Sequence, residues 1–226
     1  MNDYSKGRQV FLASGAFLGW LAILLQFYLI LINRTASVPE TIIRYFSFFT
    51  ILTNILITVC FTFLLLSPLS GWGKFFSRPT TLTAITVYMS IVGIVYNLML
   101  RFLWNPQGIQ RLADELLHVV NPTVVLLFWI FYVSKTGLQW KHVFSWLLYP
   151  IMYVIFILFR GSFSGFYPYP FSNVSNLGYP KVFINSSKIF LACLLLSLFF
   201  VWLGKRLRRQ LNNRGCLKSN CSSRNK

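Results

Sequence analysis

Hydroxyl and amide side chains interrupt an otherwise apolar stretch, residues 45–58, at a spacing that suits chemistry on one side of a helix. Ser47, Thr50, Asn54 and Thr58 follow one another at intervals of three, four and four residues. On a helix this spacing places all four on one face. A polar face on an apolar helix must meet a neighbouring helix or a hydrated cavity. The stretch therefore predicts either interhelical packing or a site with a nucleophilic hydroxyl.

A histidine in another apolar segment supplies the base that such a hydroxyl would need. A threonine hydroxyl is a weak nucleophile until a base takes its proton, and neutral imidazole is the usual base near neutral pH. Asp114 precedes His118 by four residues, so on a helix it can orient the imidazole ring. Thr50 and His118 are accordingly the candidate catalytic pair, and Asp114 supports them.

Four further polar residues are candidates for supporting roles. Ser47 is an alternative nucleophile, and Asn54, Asn97 and Asn121 are candidate donors to an oxyanion. The competing interpretation is that these groups form ordinary hydrogen bonds between helices, each worth ~0.6–2 kcal/mol.

The composition indicates a membrane protein. Of 226 residues, 56% are hydrophobic, 18% are aromatic and only 11% are charged, and the mean hydropathy is +0.62. Several apolar runs approach the roughly 20 residues that a bilayer span needs. We therefore predict an all-α polytopic protein with six transmembrane helices. The predicted spans are residues 10–32, 42–66, 82–104, 116–134, 142–159 and 187–204.

The placement of the basic residues predicts the orientation. Fourteen of the 21 Lys and Arg residues fall on the side that holds both termini, which the positive-inside rule assigns to the cytoplasm. We expect a transmembrane domain over residues 1–204 and a basic cytoplasmic tail over residues 205–226. The net charge of +17 then reflects topology and contact with lipid headgroups, so no nucleic-acid partner is expected.

This orientation brings the candidate residues of three spans to a similar depth. Thr50, Asn97 and His118 all fall in the outer half of the bilayer. The longest connection, residues 160–188, is aromatic and rich in proline, and we expect it to form a lid or re-entrant cap above them. Arg101, at the outer end of the third span, either snorkels to the surface or pairs with an acid.

Three motifs resemble a known family. The segments YFSFFTILTN, LLHVVNPTVVLLFW and GFYPYPF resemble, in this order, a bacterial family of uncharacterised six-span integral membrane proteins. That family is distantly similar to the androgen-induced protein family of intramembrane threonine hydrolases, which cleave fatty-acid esters of hydroxy fatty acids. The turn formed by Tyr169, Pro170 and Phe171 matches well and implies a shared structural cap. The resemblance favours a bacterial plasma membrane.

The residues of the hydrolases map onto this chain in more than one register. Their nucleophilic threonine best matches Thr50, and a shifted register offers Ser47. Their fourth helix carries two histidines three residues apart. His118 matches the first of them, and the second, catalytic one falls on Asn121. A shift of three residues returns His118 to the catalytic position.

The resemblance implies a lipid-ester hydrolase that acts on membrane lipids such as fatty-acid esters without a metal or other cofactor. Two alternatives stay open. A transporter or small-ligand binding protein would use the same polar cavity, which the deeper positions Thr58 and Thr86 would extend inward. A structural membrane protein would use the polar stripes for packing alone.

Overall fold

The computed structural model of the chain is an antiparallel bundle of six long helices. It describes the backbone of residues 3–223 and the side chains of residues 6–210. All secondary structure in this part is helical, and six segments are long and apolar enough to cross a membrane. The all-α, multi-pass fold is therefore confirmed. The six segments are Lys6–Ile32, Phe49–Leu66, Pro79–Leu100, Gly108–Tyr132, His142–Ser164 and Val174–Gln210.

Nine α-helices make up these spans and the connections between them in the described residues. Two of the spans also contain a turn of π-helix, at Tyr96–Leu100 and Leu116–Val120. The α-helices are α1 (Asp3–Ile32), α2 (Val38–Tyr45), α3 (Phe49–Leu66), α4 (Gly71–Phe76), α5 (Pro79–Val95), α6 (Gly108–Glu115), α7 (Asn121–Tyr132), α8 (His142–Ser164) and α9 (Val174–Ser223).

The connections lie at two ends of the bundle. Those spanning residues 33–48, 101–107 and 165–173 lie at one end, here termed the cap end, where Arg160 reaches Glu40 at 2.7 Å. Residues 67–78 and 133–141 lie at the opposite end, where the Nζ of Lys205 lies 4.7 Å from the Trp140 ring centroid. Most of the predicted tail, from residue 211 onwards, falls outside the described side chains.

The core is formed by large apolar side chains on the inner faces of the spans. Phe61, Phe128 and Trp129 are at most 2% exposed. Phe17 and Val10, by contrast, are about two-thirds exposed at 66% and 68%, as expected for side chains that face hydrocarbon rather than water. The helices are thus apolar on both faces, which is typical of a transmembrane bundle.

The second predicted span is not one continuous helix. Residues 42–66 divide into the end of α2 and the whole of α3, with a break at residues 46–48. The hydroxyl of Ser47 donates to the Ile43 carbonyl at 2.7 Å, and the Ser47 carbonyl accepts from the Tyr153 hydroxyl at 2.9 Å. These bonds satisfy the interrupted backbone. The prediction of one polar face from Ser47 to Thr58 was therefore wrong at its first residue.

The fourth span begins earlier than predicted. It starts at Gly108, so Asp114 and Glu115 lie within the helical segment rather than at its start. Both acids have polar partners at these positions, which allows them to lie inside the segment. At Leu116–Val120 the backbone switches to π-helical spacing, with the Asn121 N–H donating to the Leu116 carbonyl. This switch allows the chain to pass Pro122, which has no N–H of its own, without ending the helix.

The predicted cap connection is shorter than residues 160–188. Helix α8 continues to Ser164 and α9 begins at Val174, so the non-helical linker is residues 165–173, with a 3₁₀ turn at Pro170–Ser172. The Asn173 side chain accepts from the Asn176 N–H at 3.2 Å, which caps the new helix start. Gly178, at φ 74°, then interrupts α9 just before Pro180.

Candidate functional site

Two tyrosine hydroxyls cap the start of α3, where Thr50 lies. The first N–H groups of a helix have no partner within the helix. In α3 the Phe49 N–H donates to the Tyr153 hydroxyl at 3.2 Å, and the Thr50 N–H donates to the Tyr169 hydroxyl at 3.3 Å. Two distant segments, α8 and the 165–173 linker, therefore fix the position of the candidate nucleophile.

The Thr50 side chain contacts the same tyrosine. Its Oγ1 lies 3.4 Å from the Tyr169 hydroxyl oxygen, and Thr50 is only 8% exposed. Burial raises the pKa of the Tyr169 phenol above its ordinary value, so the phenol is neutral and can donate as well as accept.

His118 belongs to a compact cluster in which an aromatic ring and a carboxylate hold the imidazole. Its Nδ1 lies 2.9 Å from the Asp114 carbonyl oxygen and 3.2 Å from the carboxylate Oδ1. The ring of Tyr96 stacks on the imidazole with centroids 3.9 Å apart, and the Tyr96 hydroxyl donates to the other Asp114 oxygen. Within the described residues, the imidazole Nε2 has no hydrogen-bond partner.

The two π-helical turns carry the two stacked rings. Tyr96 begins the turn in the third span, and His118 lies in the middle of the turn in the fourth span. A π-helical turn interrupts the regular ladder of backbone bonds and is frequent at functional sites. The pairing of two such turns across one interface is therefore consistent with a site at this position.

Arg101 pairs with an acid rather than only reaching toward the surface. Its guanidinium donates to the Glu115 carboxylate and to the Asn97 Oδ1 at 2.6 Å. Of the two alternatives predicted from the sequence, the ion pair is the one that forms. It neutralises Glu115 and leaves Asp114 as the carboxylate beside the histidine.

Thr50 and His118 line one cavity of about 390 Å³, here termed the histidine chamber. Asp114 and Tyr96 contribute to the same wall, and Tyr169 lies beside Thr50. No hydrogen bond joins Thr50 to His118 among the residues that the structure describes. The chamber therefore brings the predicted pair to one space without a hydrogen bond between them.

A second, smaller cavity lies on the other side of Thr50. This apolar chamber has a volume of about 70 Å³ and is lined mainly by aliphatic and aromatic side chains, among them Ile91, Val92 and Ile157. Thr50 and Tyr169 line both chambers. The candidate nucleophile thus lies at the boundary between a chamber that Asp114 and His118 line and one whose lining includes no acid and no histidine.

The alternative nucleophile and the predicted oxyanion donors lie outside the lining of both chambers. The Ser47 hydroxyl is bonded to Ile43. The Asn97 amide donates to the Gly93 carbonyl at 2.8 Å. The Asn121 amide donates to the Asn54 Oδ1 at 2.8 Å.

Asn54 is committed to helix contacts. Its amide donates to the Thr50 carbonyl at 2.9 Å and to the Leu117 carbonyl at 3.2 Å. All three predicted oxyanion donors therefore already bond to protein groups. The hydrogen bond between Asn121 and Asn54 joins the fourth span to α3.

The predicted cap residues divide between the two chambers. Pro170 lines the histidine chamber, Phe171 lines the apolar chamber, and Tyr169 lines both. The Tyr169 and Phe171 rings stack in parallel with centroids 5.0 Å apart. The linker thus fills space above Thr50 with both rings.

An ion cluster anchors this linker at the cap end. Glu40 accepts from Arg44 at 2.8 Å and from Arg160 at 2.7 Å. Both guanidinium groups lie over the Phe166 ring, at 4.6 and 5.1 Å from its centroid. The hydrogen bond from Arg44, and the further bond and charge of Arg160, lower the pKa of Glu40 below its ordinary value.

Several residues of the histidine chamber were not identified from the sequence. Gln110 donates to the Gln26 side chain at 2.9 Å, and both line the chamber together with Tyr96 and Trp104. Gln26 interrupts an apolar run, which was a usable signal. The sequence gives no comparable signal for Tyr96, because an aromatic residue in a transmembrane helix is usually a packing residue.

The deeper polar positions do not extend the chamber. Thr58 and Thr86 are 0% and 2% exposed and line neither chamber. The Thr86 hydroxyl donates to the Leu82 carbonyl at 2.8 Å, and Thr58 packs against Gly19, where an added Cβ would lie 2.1 Å from the Thr58 Oγ1. These threonines lie at tight contacts between or within helices.

The chain matches no family model, no curated protein and no solved structure. The described residues also include no group of three His, Cys, Asp or Glu side chains that would hold a metal ion. The arrangement of the site is therefore the basis for any functional conclusion.

Proposed function

We propose that this integral membrane protein hydrolyses lipid esters, with Thr50 as the nucleophile and His118 as the base. The observation that carries the proposal is that both residues line one chamber, in which Asp114 holds His118 by its Nδ1. With Nδ1 engaged, the unpartnered Nε2 is the nitrogen available to accept a proton. Burial within a bundle of membrane spans favours a lipid substrate over a soluble one.

In this mechanism His118 takes the Thr50 hydroxyl proton as the Thr50 oxygen attacks the acyl carbonyl. Collapse of the tetrahedral intermediate breaks the ester C–O bond, and the imidazolium returns the proton to the leaving alcohol. Water, activated by the same imidazole, then releases the fatty acid from Thr50. Because no hydrogen bond joins the two side chains in the described structure, the proposed proton transfer requires a bridging water or a closer approach when the substrate binds, either of which suits a general base.

The backbone at the start of α3 is better suited than the asparagines to stabilise the oxyanion. The Ile51 N–H has no acceptor among the described residues, and Ile51 lines the histidine chamber. An unpaired N–H at a helix start carries partial positive charge. We therefore assign oxyanion stabilisation to this first turn, with the Thr50 N–H joining it when Tyr169 releases it.

Covalent labelling with a lipophilic fluorophosphonate tests the proposal directly. Wild type is expected to label, and Thr50→Ala is expected to abolish labelling. His118→Gln should slow it by about 10²-fold, the lower limit for loss of a general base. Ser47→Ala is the matched control, because its hydroxyl is bonded to Ile43 and lines neither chamber. Labelling that survives in Thr50→Ala and disappears in Ser47→Ala would transfer the role to Ser47.

A non-catalytic ligand-binding protein is the second candidate. The pairing of Thr50 with Tyr169 rather than with His118 favours it, since a hydroxyl held by a neutral phenol is suited to hydrogen-bonding a ligand. This candidate predicts that a well-folded wild type binds lipid analogues but gives no fluorophosphonate adduct. The transporter alternative loses its motivation from the deep threonines, because Thr58 and Thr86 are packed and line neither chamber. The structural alternative stays open, since such packing is what it predicts.

A further inference from the structure

A groove on the outer surface of the bundle lies behind the apolar chamber. It runs between α8 and α9, has a volume of about 210 Å³, and is lined mainly by aliphatic and aromatic side chains. Ile155 and Phe183 in its walls are 56% and 57% exposed. Because both helices are membrane spans, these exposed apolar groups face lipid chains rather than water.

The groove and the apolar chamber share a wall. Pro150, Val154, Ser186 and Ile189 line both. Val154 and Ser186 are half-buried and small, and they come from α8 and α9 respectively. A small displacement of these two side chains would join the lipid-facing groove to the interior.

The backbone of α8 is specialised at this wall. Pro150 has no N–H, so the Trp146 carbonyl loses its partner in the helix. The Tyr88 hydroxyl supplies the missing donor at 2.7 Å. Helix α8 therefore remains continuous, because a side chain of α5 replaces one missing backbone hydrogen bond. This replacement lies next to the apolar chamber.

The three spaces follow one another in order of increasing polarity. The groove adjoins the apolar chamber, which meets the histidine chamber at Thr50 and Tyr169. An amphiphile with its ester carbonyl at Thr50 would place a hydrocarbon chain on one side and a polar group on the other. Beyond Thr50, the glutamines and the Asp114–His118 pair offer partners to that polar group.

We infer that a single acyl chain of a membrane amphiphile reaches Thr50 sideways from the bilayer, between α8 and α9, and occupies the apolar chamber. The role of Thr50 in cleaving this substrate rests on the proposed function, whereas the route of the chain does not. The inferred substrate class is a monoacyl ester, because a chamber of about 70 Å³ has no room for two acyl chains side by side.

Photo-crosslinking in phosphatidylcholine nanodiscs tests the route. The probe is a monoacylglycerol whose hexadecanoyl chain carries a diazirine a few carbons from its ester carbonyl, and mass spectrometry identifies the modified residues. Ile91 and Val92 are the reporters, since they line the apolar chamber and are only 3% and 4% exposed. Modification at both is expected in wild type, and its absence in folded wild type would overturn the inference.

Two variants close the passage from opposite sides. Ser186→Trp and Val154→Phe should each lower modification of Ile91 and Val92 about ten-fold, which corresponds to about 1.4 kcal/mol of binding. Met152→Trp is the matched control on α8, because Met152 is 56% exposed and lines none of the three spaces. Equal modification in all three folded variants would also overturn the inference.

Thr50→Ala separates this inference from the proposed function. The variant should lose fluorophosphonate labelling and keep the crosslinks at Ile91 and Val92. If wild type forms the crosslinks without reacting with the fluorophosphonate, the acyl route stands and the hydrolase proposal fails. If the fluorophosphonate reacts and the crosslinks are missing, the hydrolase proposal stands and the lateral route fails.

Discussion

Tyr169 holds Thr50 at two points: its hydroxyl accepts the Thr50 N–H at 3.3 Å and lies 3.4 Å from the Thr50 Oγ1. These residues are 119 positions apart in the chain. One phenol therefore ties the cap linker to the start of α3. The same phenol sits where the two chambers meet, so the stability of the linker and the geometry of the candidate nucleophile depend on one side chain.

Replacing Tyr169 with phenylalanine should destabilise the protein modestly. The ring still stacks on Phe171, but the Thr50 N–H loses its acceptor, which costs about 1–3 kcal/mol when the group stays buried. Thermal unfolding in detergent is the measurement, and a lower midpoint is expected. Tyr179→Phe is the control, because Tyr179 is 51% exposed. A Tyr169→Phe midpoint equal to that of the control would contradict the capping role.

Asp114→Asn should slow covalent labelling of Thr50 while leaving the fold intact. The amide keeps the shape of the carboxylate but removes the charge that orients and stabilises the imidazolium, so a loss of about 10²-fold or more in labelling rate is expected. Glu115→Gln is the adjacent control, because Glu115 pairs with Arg101 and lines neither chamber. Equal rates in the two variants would remove Asp114 from the mechanism.

The spans could be predicted from the sequence because hydrocarbon requires long apolar helices, and six of them are present. The break at Ser47 could not, because it depends on Tyr153, which is 106 positions away. Local spacing predicted an unbroken polar face there. A helix can end within an apolar run when a distant hydroxyl satisfies its backbone.

The sequence indicated some of the residues that line the histidine chamber. Thr50, His118 and Asp114 have local signals, namely a hydroxyl, an imidazole and an acid in apolar surroundings, and all three line the histidine chamber. The asparagines have the same signal but form packing contacts. Amide side chains bond equally well to a neighbouring helix or to a substrate, so their partners depend on tertiary structure.

Stability should depend on pH through Glu40. Its pKa is lowered in the folded protein from 4.5, so the folded state binds fewer protons than the unfolded state in the interval between the two values. The stabilisation that the ionised Glu40 carboxylate provides is complete above pH 4.5. It is lost as the pH falls through the lower pKa of Glu40 in the folded protein. We expect the unfolding midpoint to fall with acidification over this interval.

Glu40→Gln isolates this contribution. The variant should be less stable at neutral pH, by up to about 1 kcal/mol for a partly exposed pair, and its difference from wild type should shrink below pH 4.5. The measurement is the unfolding midpoint of both proteins across a pH series. A midpoint difference between the two proteins that stays constant from neutral to acidic pH would show that the charge of Glu40 does not cause the loss of stability.

Thr58→Val should leave stability unchanged or raise it. The Thr58 Oγ1 is buried without a hydrogen-bond partner in the described structure, so the shape-conserving change removes an unsatisfied group. Thr53→Val in the same helix is the control. Thr53 is equally buried, but its hydroxyl lies 3.2 Å from that of Tyr149, so its loss should cost about 1 kcal/mol.

A conducting pathway through Thr58 would give a different result. In that case Thr58→Val would reduce solute uptake in proteoliposomes without changing the unfolding midpoint. The packing interpretation predicts instead that Thr53→Val lowers the unfolding midpoint and that neither variant alters solute uptake.

The orientation predicted from the basic residues places the histidine chamber in the outer half of the membrane. Single cysteines at Leu103 and Leu69, which are 63% and 83% exposed at opposite ends of the bundle, distinguish the two orientations once the four native cysteines are replaced by alanine. A membrane-impermeant maleimide should label Leu103→Cys on intact spheroplasts and Leu69→Cys only after lysis. The opposite pattern would make the chamber cytoplasmic, and the lipid substrate would then come from the inner leaflet.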